Sequence, residues 1–163
     1  MRNSAVYLMN AKEVELAVVN YFGARQNLII PNITWGFSGL YYEADLIVVT
    51  RAGYAKEIEI KVSKADLIKD KEKKHAHDYI KFNELYFAIP EKLLKYKEHI
   101  PEKAGILICK TEKYGDSIYY KARLEKKAIS NGVEPLTLKD KYELARLGTL
   151  RIWNLKRKLL KHK

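Results

Sequence analysis

The segment "YYEADLIVVTRAGYAKEIEIKVS", residues 41–63, constrains the fold most. It holds two runs rich in apolar and β-branched residues, 41–50 and 55–63, joined by the short link "RAGY". Two such runs around a brief Gly-containing link read as a β-hairpin. In the second run Glu57, Glu59 and Lys61 alternate with Ile58 and Ile60. A strand has a side-chain period of two, so the three charged groups share one face. Glu43 and Asp45 share a face of the first run in the same way. A strand that is otherwise strongly apolar either turns this charged side to water or uses it.

The rest of the chain supplies layers for the hairpin to pack between. Asn10 to about Phe22 carries Val14, Ala17, Val18 and Tyr21 at helical spacing, and Gly23 closes the helix. "NLIIPNITW" (27–35) reads as a strand in which Pro31 marks an edge or bend. A second helix is expected from Lys64 to about Phe82, with Ala65, Ile68, Ala76, Tyr79 and Phe82 on one side and the charged stretch "KDKEKKHAHD" between them. "ELYFAIP" (84–90) and "AGILICK" (104–110) read as short buried strands joined by the mainly helical "EKLLKYKEHI", an arrangement that favours parallel pairing. "SIYYKARLEKKA" (117–128) fits strand or helix, and "ISNGVEPL" is a loop. Thr137 with Asp140 resembles an N-cap pair opening a last helix. The expected architecture is one α/β domain over residues 1–163, with a basic C-terminal helix over about 137–163.

Composition narrows the function classes. A chain of 163 residues can bury roughly 70% of the surface its unfolded form exposes, so it needs no covalent staples. Cys109 is the only cysteine, which excludes an internal disulfide; it reads as a small buried apolar residue. No apolar run reaches the ~18 residues of a bilayer span, and the N-terminal stretch lacks a secretion signal's apolar core. The expectation is a cytoplasmic protein without a membrane partner. The net charge of +11, from 31 Lys and Arg against 20 Asp and Glu, predicts a polyanionic partner, with nucleic acid foremost.

On pairing of the two runs, Asp45 and Glu59 converge if the register sets them opposite each other, about 4.5–5.5 Å apart at Cβ. Burying two neighbouring carboxylates is costly unless opposite charge compensates, and a hard divalent cation such as Mg²⁺ or Mn²⁺ does so. Lys61 beside such an ion can hold a water or stabilise charge developing on a phosphate. Acid, acid and lysine together suit phosphodiester hydrolysis. The plain alternative is an amphipathic hairpin with a solvated Glu–Lys face.

With Asp45 in "EADLIVV", Glu59-Ile60-Lys61 in "EIEIK" and an upstream helix bearing Glu13 and Glu15, the chain resembles the PD-(D/E)XK nuclease superfamily. The segment "EADLIVVTRAGYAKEIEIKVSKADLIKD" is similar to its MmcB-like DNA-repair branch of bacteria and phages, and the likeness extends over roughly residues 10–110. Ala44 stands where the superfamily label has proline. The resemblance implies a restriction-endonuclease-like mixed central sheet flanked by helices. It implies Asp45 and Glu59 as ligands of Mg²⁺ or Mn²⁺, Lys61 as the catalytic lysine, and a first-helix acid, Glu13 before Glu15, as a further catalytic group. It implies DNA phosphodiester hydrolysis in repair, recombination or phage DNA metabolism, or, alternatively, a DNA-binding accessory protein of the same fold without catalysis.

Other residues are candidates for supporting roles. Glu43 and Glu57 share faces with the proposed ligands and serve either the site or a solvated strand end. His75 lies near the second helix's apolar stripe, within reach of the acids; His75 and His77 point about 200° apart on a helix, which argues against one zinc ion held by both. Lys64, Lys69, Lys71, Lys73 and Lys74, with Arg151, Lys156, Arg157 and Lys158, are candidate phosphate contacts. Trp35 and Trp153 fit core or rim packing better than base stacking. The sequence leaves the oligomeric state, including a homodimer, open.

Overall fold

The structure is a computed structural model, and it describes residues 8–34, 36–37, 39–71 and 81–161. Its elements run α1 (Ala11–Phe22), β1 (Leu28–Ile33), β2 (Ala44–Val49), β3 (Ala55–Ile60), α2 (Lys64–Lys71), β4 (Phe82–Pro90), a 3-10 segment (Glu91–His99), β5 (Gly105–Tyr114), β6 (Ser117–Lys126) and α3 (Leu138–Lys161). The strands form one six-stranded sheet in the order β1-β2-β3-β4-β5-β6. β3–β4 and β4–β5 are parallel, and the other neighbours are antiparallel. This is an α/β fold, a mixed sheet flanked by helices.

Local chemistry explains the ends of the helices. Asn10 caps α1: its side chain accepts the Glu13 N–H at 3.1 Å, and the Glu13 carboxylate accepts the Asn10 N–H at 2.8 Å, a reciprocal capping box. Gly23 ends the helix at φ 71°, where a side chain would be strained. Thr137 and Asp140 exchange the same pair of bonds, each at 3.1 Å, at the start of α3.

Three apolar clusters build the core. Val14, Ala17 and Val18 of α1 cover one sheet face, against Leu46, Val48, Ile58 and Ala88. On the opposite face α3 covers β1 and β2 through Leu144 and Leu147. On that face too, α2 and the 3-10 segment cover β4 and β5 through Leu67 and Leu93. Cys109 is buried in the first cluster, and burial pushes its thiol up to about 12, as expected of an apolar filler.

Some sequence expectations shift. Tyr21 shares the spacing of the α1 stripe but is exposed; Phe22 packs on the core instead, its ring edge-on to Tyr86 at 6.3 Å. β2 begins at Ala44, so Tyr41 and Tyr42 lie before it. Phe82, read as the last residue of the second helix, opens β4 and is buried, because Ala55 pairs with it across the parallel ladder. The segment 117–128, left open between strand and helix, is strand from Ser117 to Lys126. The outer strand β1 is irregular: Pro31 has no N–H to give, Asn32 has φ 51°, and the Arg151 guanidinium donates to the Asn32 carbonyl.

Gly105 opens β5 where its ladder partner Tyr86 and the chain after β6 leave no room for a side chain. A Cβ there would lie 2.3 Å from the Tyr86 ring and 2.8 Å from the Ala128 amide nitrogen. Gly105→Ala is therefore expected to destabilise by about 1–3 kcal/mol, seen as a lower urea midpoint with an unchanged m-value.

Candidate functional site

β2 and β3 pair with Leu46 opposite Ile58 and Ile47 opposite Glu57, a register that sets Asp45 opposite Glu59 one step further along. The hairpin thus brings the two acids to the same end of the same ladder. Asp45 Oδ2 accepts the Ile60 N–H at 2.8 Å, standing in for a ladder carbonyl where the strands part. The three alternating groups of β3 are all buried: Glu57 is 0%, Glu59 1% and Lys61 7% exposed. This removes the reading of a solvated Glu–Lys hairpin face. These groups lie under the cover of α2 and α3, among side chains such as Ile47, Leu85 and Phe87.

Lys61 follows the last residue of β3, and its N–H still bonds to the Ala88 carbonyl at 3.1 Å. Its ammonium donates to Glu59 Oε2 at 2.5 Å and lies 2.8 Å from Asp70 Oδ1 on α2. Burial alone would pull the lysine down, but Glu59 and then Asp70 outweigh it and hold the ammonium above its ordinary value. Lys61 is therefore a fixed cation at neutral pH. Asp70 was missed in the sequence because it sits in a charge-dense stretch. One signal was present: it lies three residues after the buried Leu67, on the same side of α2.

Glu57 accepts from the Tyr42 hydroxyl at 3.0 Å, which ties the segment before β2 to β3. Glu43, by contrast, is exposed. On α1 the two acids stand in different surroundings. Glu13 is buried, and its carboxylate serves the capping box and accepts from Tyr120 at 3.4 Å. Glu15 is half-buried, and burial, and next the charge of Asp45, raise its pKa. The spacing Asn10-x-x-Glu13 is itself the capping-box signature.

The candidate phosphate contacts divide. Lys64, Lys69 and Lys71 are exposed on α2, beside the Lys61–Asp70 pair, and the Lys64 ammonium sits 4.9 Å from the Tyr96 ring. Arg151 is engaged with β1 through Asn32, at the level of Asp45. Lys156, Arg157 and Lys158 are exposed on the last turns of α3; Lys156 stands over the exposed Trp153 ring at 5.1 Å. Lys73, Lys74, His75 and Trp35 lie outside the described residues.

Among the described residues no three His, Cys, Asp or Glu side chains gather as a metal cage. Mg²⁺ does not require one, since it keeps several waters and takes one or two carboxylates. Asp45 and Glu59, hard oxygen donors at opposed positions of one ladder, fit that demand.

The chain matches no family model. It matches no curated protein either. Its fold is similar to that of a protein of unknown function from Silicibacter pomeroyi, with a TM-score of 0.63 over 94% of this chain and 93% of that one, at 17% identity. At that identity the likeness speaks for the fold alone. No helix among the described residues is long and apolar enough to cross a membrane.

Two outcomes follow from the geometry. Lys61→Met leaves Glu59 and Asp70 buried without their shared ammonium and is expected to cost about 3–5 kcal/mol, with Lys61→Arg closer to wild type in a urea titration. Because the folded-state value of Lys61 lies above the ordinary one, its contribution is complete below pH 10.5 and is lost only as pH rises further. For Glu15 the sign is opposite. Its raised value makes ionisation a cost to the fold, relieved as pH falls toward 4.5. Asp45→Asn removes one cause, so the NMR titration midpoint of the Glu15 carboxyl is expected to move down.

Proposed function

We propose that this protein is a metal-dependent nuclease that hydrolyses phosphodiester bonds of nucleic acid, DNA foremost. The observation that carries the reading is the opposed placement of Asp45 and Glu59 with the Lys61 ammonium 2.5 Å from Glu59. It is the acid, acid, lysine set of the restriction-endonuclease-like, PD-(D/E)XK pattern that the sequence resembles.

Asp45 and Glu59 would hold Mg²⁺ or Mn²⁺, which when bound supplies a polarised water and a counter-charge for the phosphate. Lys61, a permanent cation held by Glu59 and Asp70, orients that carboxylate and faces negative charge as it develops on the scissile phosphate. Being protonated, it acts as an electrostatic group and not as a general base. On α1, Glu15 is coupled to the site through the charge of Asp45, which with burial raises its pKa. Lys64, Lys69 and Lys71 flank this end of the sheet and would position the phosphate backbone without reading sequence.

Asp45→Ala and Lys61→Ala are expected to abolish Mn²⁺-dependent cleavage of single- and double-stranded DNA while circular dichroism reports a folded chain. Unchanged cleavage in both variants overturns the proposal. A second reading, nucleic-acid binding without hydrolysis, draws on the same basic surface and on the full engagement of Lys61 with Glu59 and Asp70. It is selected if DNA is bound but no metal restores cleavage. In either case affinity is expected to fall steeply with salt, and Lys64→Ala or Lys69→Ala each to lower the slope of log K against log salt by about one.

A further inference from the structure

Glu59 pairs with Phe87 on β4, Phe87 with Ile106 on β5, and Ile106 with Lys126 on β6. These residues make one row across the sheet, and the row starts from a candidate metal ligand. Phe87 and Ile106 both belong to the cluster under α2 and the 3-10 segment. Beside Ile106 lies a cavity of about 460 Å³. Its apolar lining is Leu94, Ile100 and Ile106; its polar lining is Lys95, Lys97, Lys126 and Glu98. Ile100 and Ile106 are buried, whereas Lys95, Lys97 and Glu98 are exposed, so the cavity has an apolar floor and a charged rim. Ile106 is two strand spacings, about 10 Å, from Glu59.

The rim is cationic on balance. Among the described residues Lys95 and Lys97 form no ion pair. Lys126 gives its ammonium to the Glu102 carbonyl, a neutral partner. The acid, Glu98, is 61% exposed and lies 3.5 Å from His99 Nε2. Lys95 also leads back to the candidate centre. Its ammonium is 5.1 Å from the centre of the Tyr96 ring, and Lys64, three residues after Lys61, comes within 4.9 Å of the same ring from α2. Two ammoniums from different elements thus share one half-buried ring, and among the described residues neither has an acid partner. Like charges gathered in this way repel unless an anion joins them.

We propose that the cavity holds one unpaired nucleotide of a nucleic-acid strand. Its base lies on the apolar floor and its phosphate meets Lys95 and Lys97, while Lys64 and Lys95 carry the backbone past Tyr96 toward Glu59 and Lys61. A cavity of this size, mostly apolar at its base with a few polar groups, suits a small planar body. The lysines call for an anion and the floor calls for an apolar face; a nucleotide joins the two. An acidic peptide would satisfy the lysines and leave the floor bare. A base held in a duplex keeps its faces stacked and cannot reach the floor, so the strand is single or frayed at this point. The inference rests on nucleic acid as the partner proposed above, and not on hydrolysis.

Binding is read in EDTA, which separates it from metal-dependent cleavage. With leucine and isoleucine methyls labelled, a short oligothymidylate is expected to shift the NMR signals of Leu94, Ile100 and Ile106. Inorganic phosphate, an oligoglutamate peptide and a blunt duplex are expected to leave them in place. By fluorescence anisotropy, Lys95→Glu and Lys97→Glu should each weaken the oligothymidylate about tenfold. Lys158→Glu, the same change of charge near the end of α3, should weaken it less. Tyr96→Leu should also weaken it, with Tyr96→Phe close to wild type, since the ring and not the hydroxyl seats the two ammoniums. Unchanged thermal midpoints show that the exposed-lysine variants are folded. Methyl signals that stay put while the oligonucleotide binds overturn the inference and leave the nuclease reading standing. An equal loss from Lys158→Glu does the same. Methyl shifts produced by the peptide overturn the nucleotide as occupant, and equal shifts from the duplex overturn the requirement for an unpaired base. If no oligonucleotide binds even at low salt, this inference and the nucleic-acid reading fall together.

Discussion

The ammonium of Lys61, buried between Glu59 on its own strand and Asp70 on α2, ties together everything near the site. A charge in such a place is tolerated only when paired with good geometry and further hydrogen bonds. The pairing fixes the angle at which α2 leaves β3, because Asp70 must come back over the sheet while Leu67 on the same side enters the core. It also keeps Glu59 aimed toward the end of the hairpin where Asp45 binds the Ile60 amide. Removing the lysine would thus disturb an ion pair, a helix seat and a candidate ligand at once, which is why its role in folding and its role in chemistry need separate measurements.

The hairpin was legible because its signal is purely local. Period-two alternation and a short turn set both the strands and the face on which Glu57, Glu59 and Lys61 lie. Register followed from burial, since a slip by one residue would have turned Ile47 and Val49 out of the core. α1 and the start of α3 were legible from their spacing and caps. Four matters were not. Phe82 fits a helical period, but the ladder to Ala55 claims it for a strand. The "EKLLKYKEH" stretch is 3-10, with Tyr96 out of helical geometry, because a short crossover packed on β4 and β5 tightens its turns. Asp70 was hidden among neighbours of like character, and only its tertiary partner singles it out. The engagement of the Glu13 carboxylate by the Asn10 N–H was the fourth.

The candidate site occupies a place where several backbones end together. β3 gives way at Lys61, β2 begins at Ala44, and the parallel strand β4 reaches Pro90 one ladder away. Strand ends free the chain to present side chains without disturbing the sheet, while the buried rows behind them hold those side chains still. The exposed lysines of α2 and the cations of α3 lie outside this rigid frame. On the nuclease reading proposed above, a fixed acidic centre with exposed cations around it would suit a polyanion, which needs precision at one bond and only general attraction elsewhere.

The irregularity of β1 has its own consequence for how the molecule associates. An outermost strand with free donors and acceptors invites another strand to add on, the route to edge-to-edge aggregation. Pro31 withholds a donor, Asn32 bends the backbone out of the extended form, and Arg151 occupies the Asn32 carbonyl. The sheet is thereby closed to growth along this flank, which leaves β6, ten residues long, as its other edge.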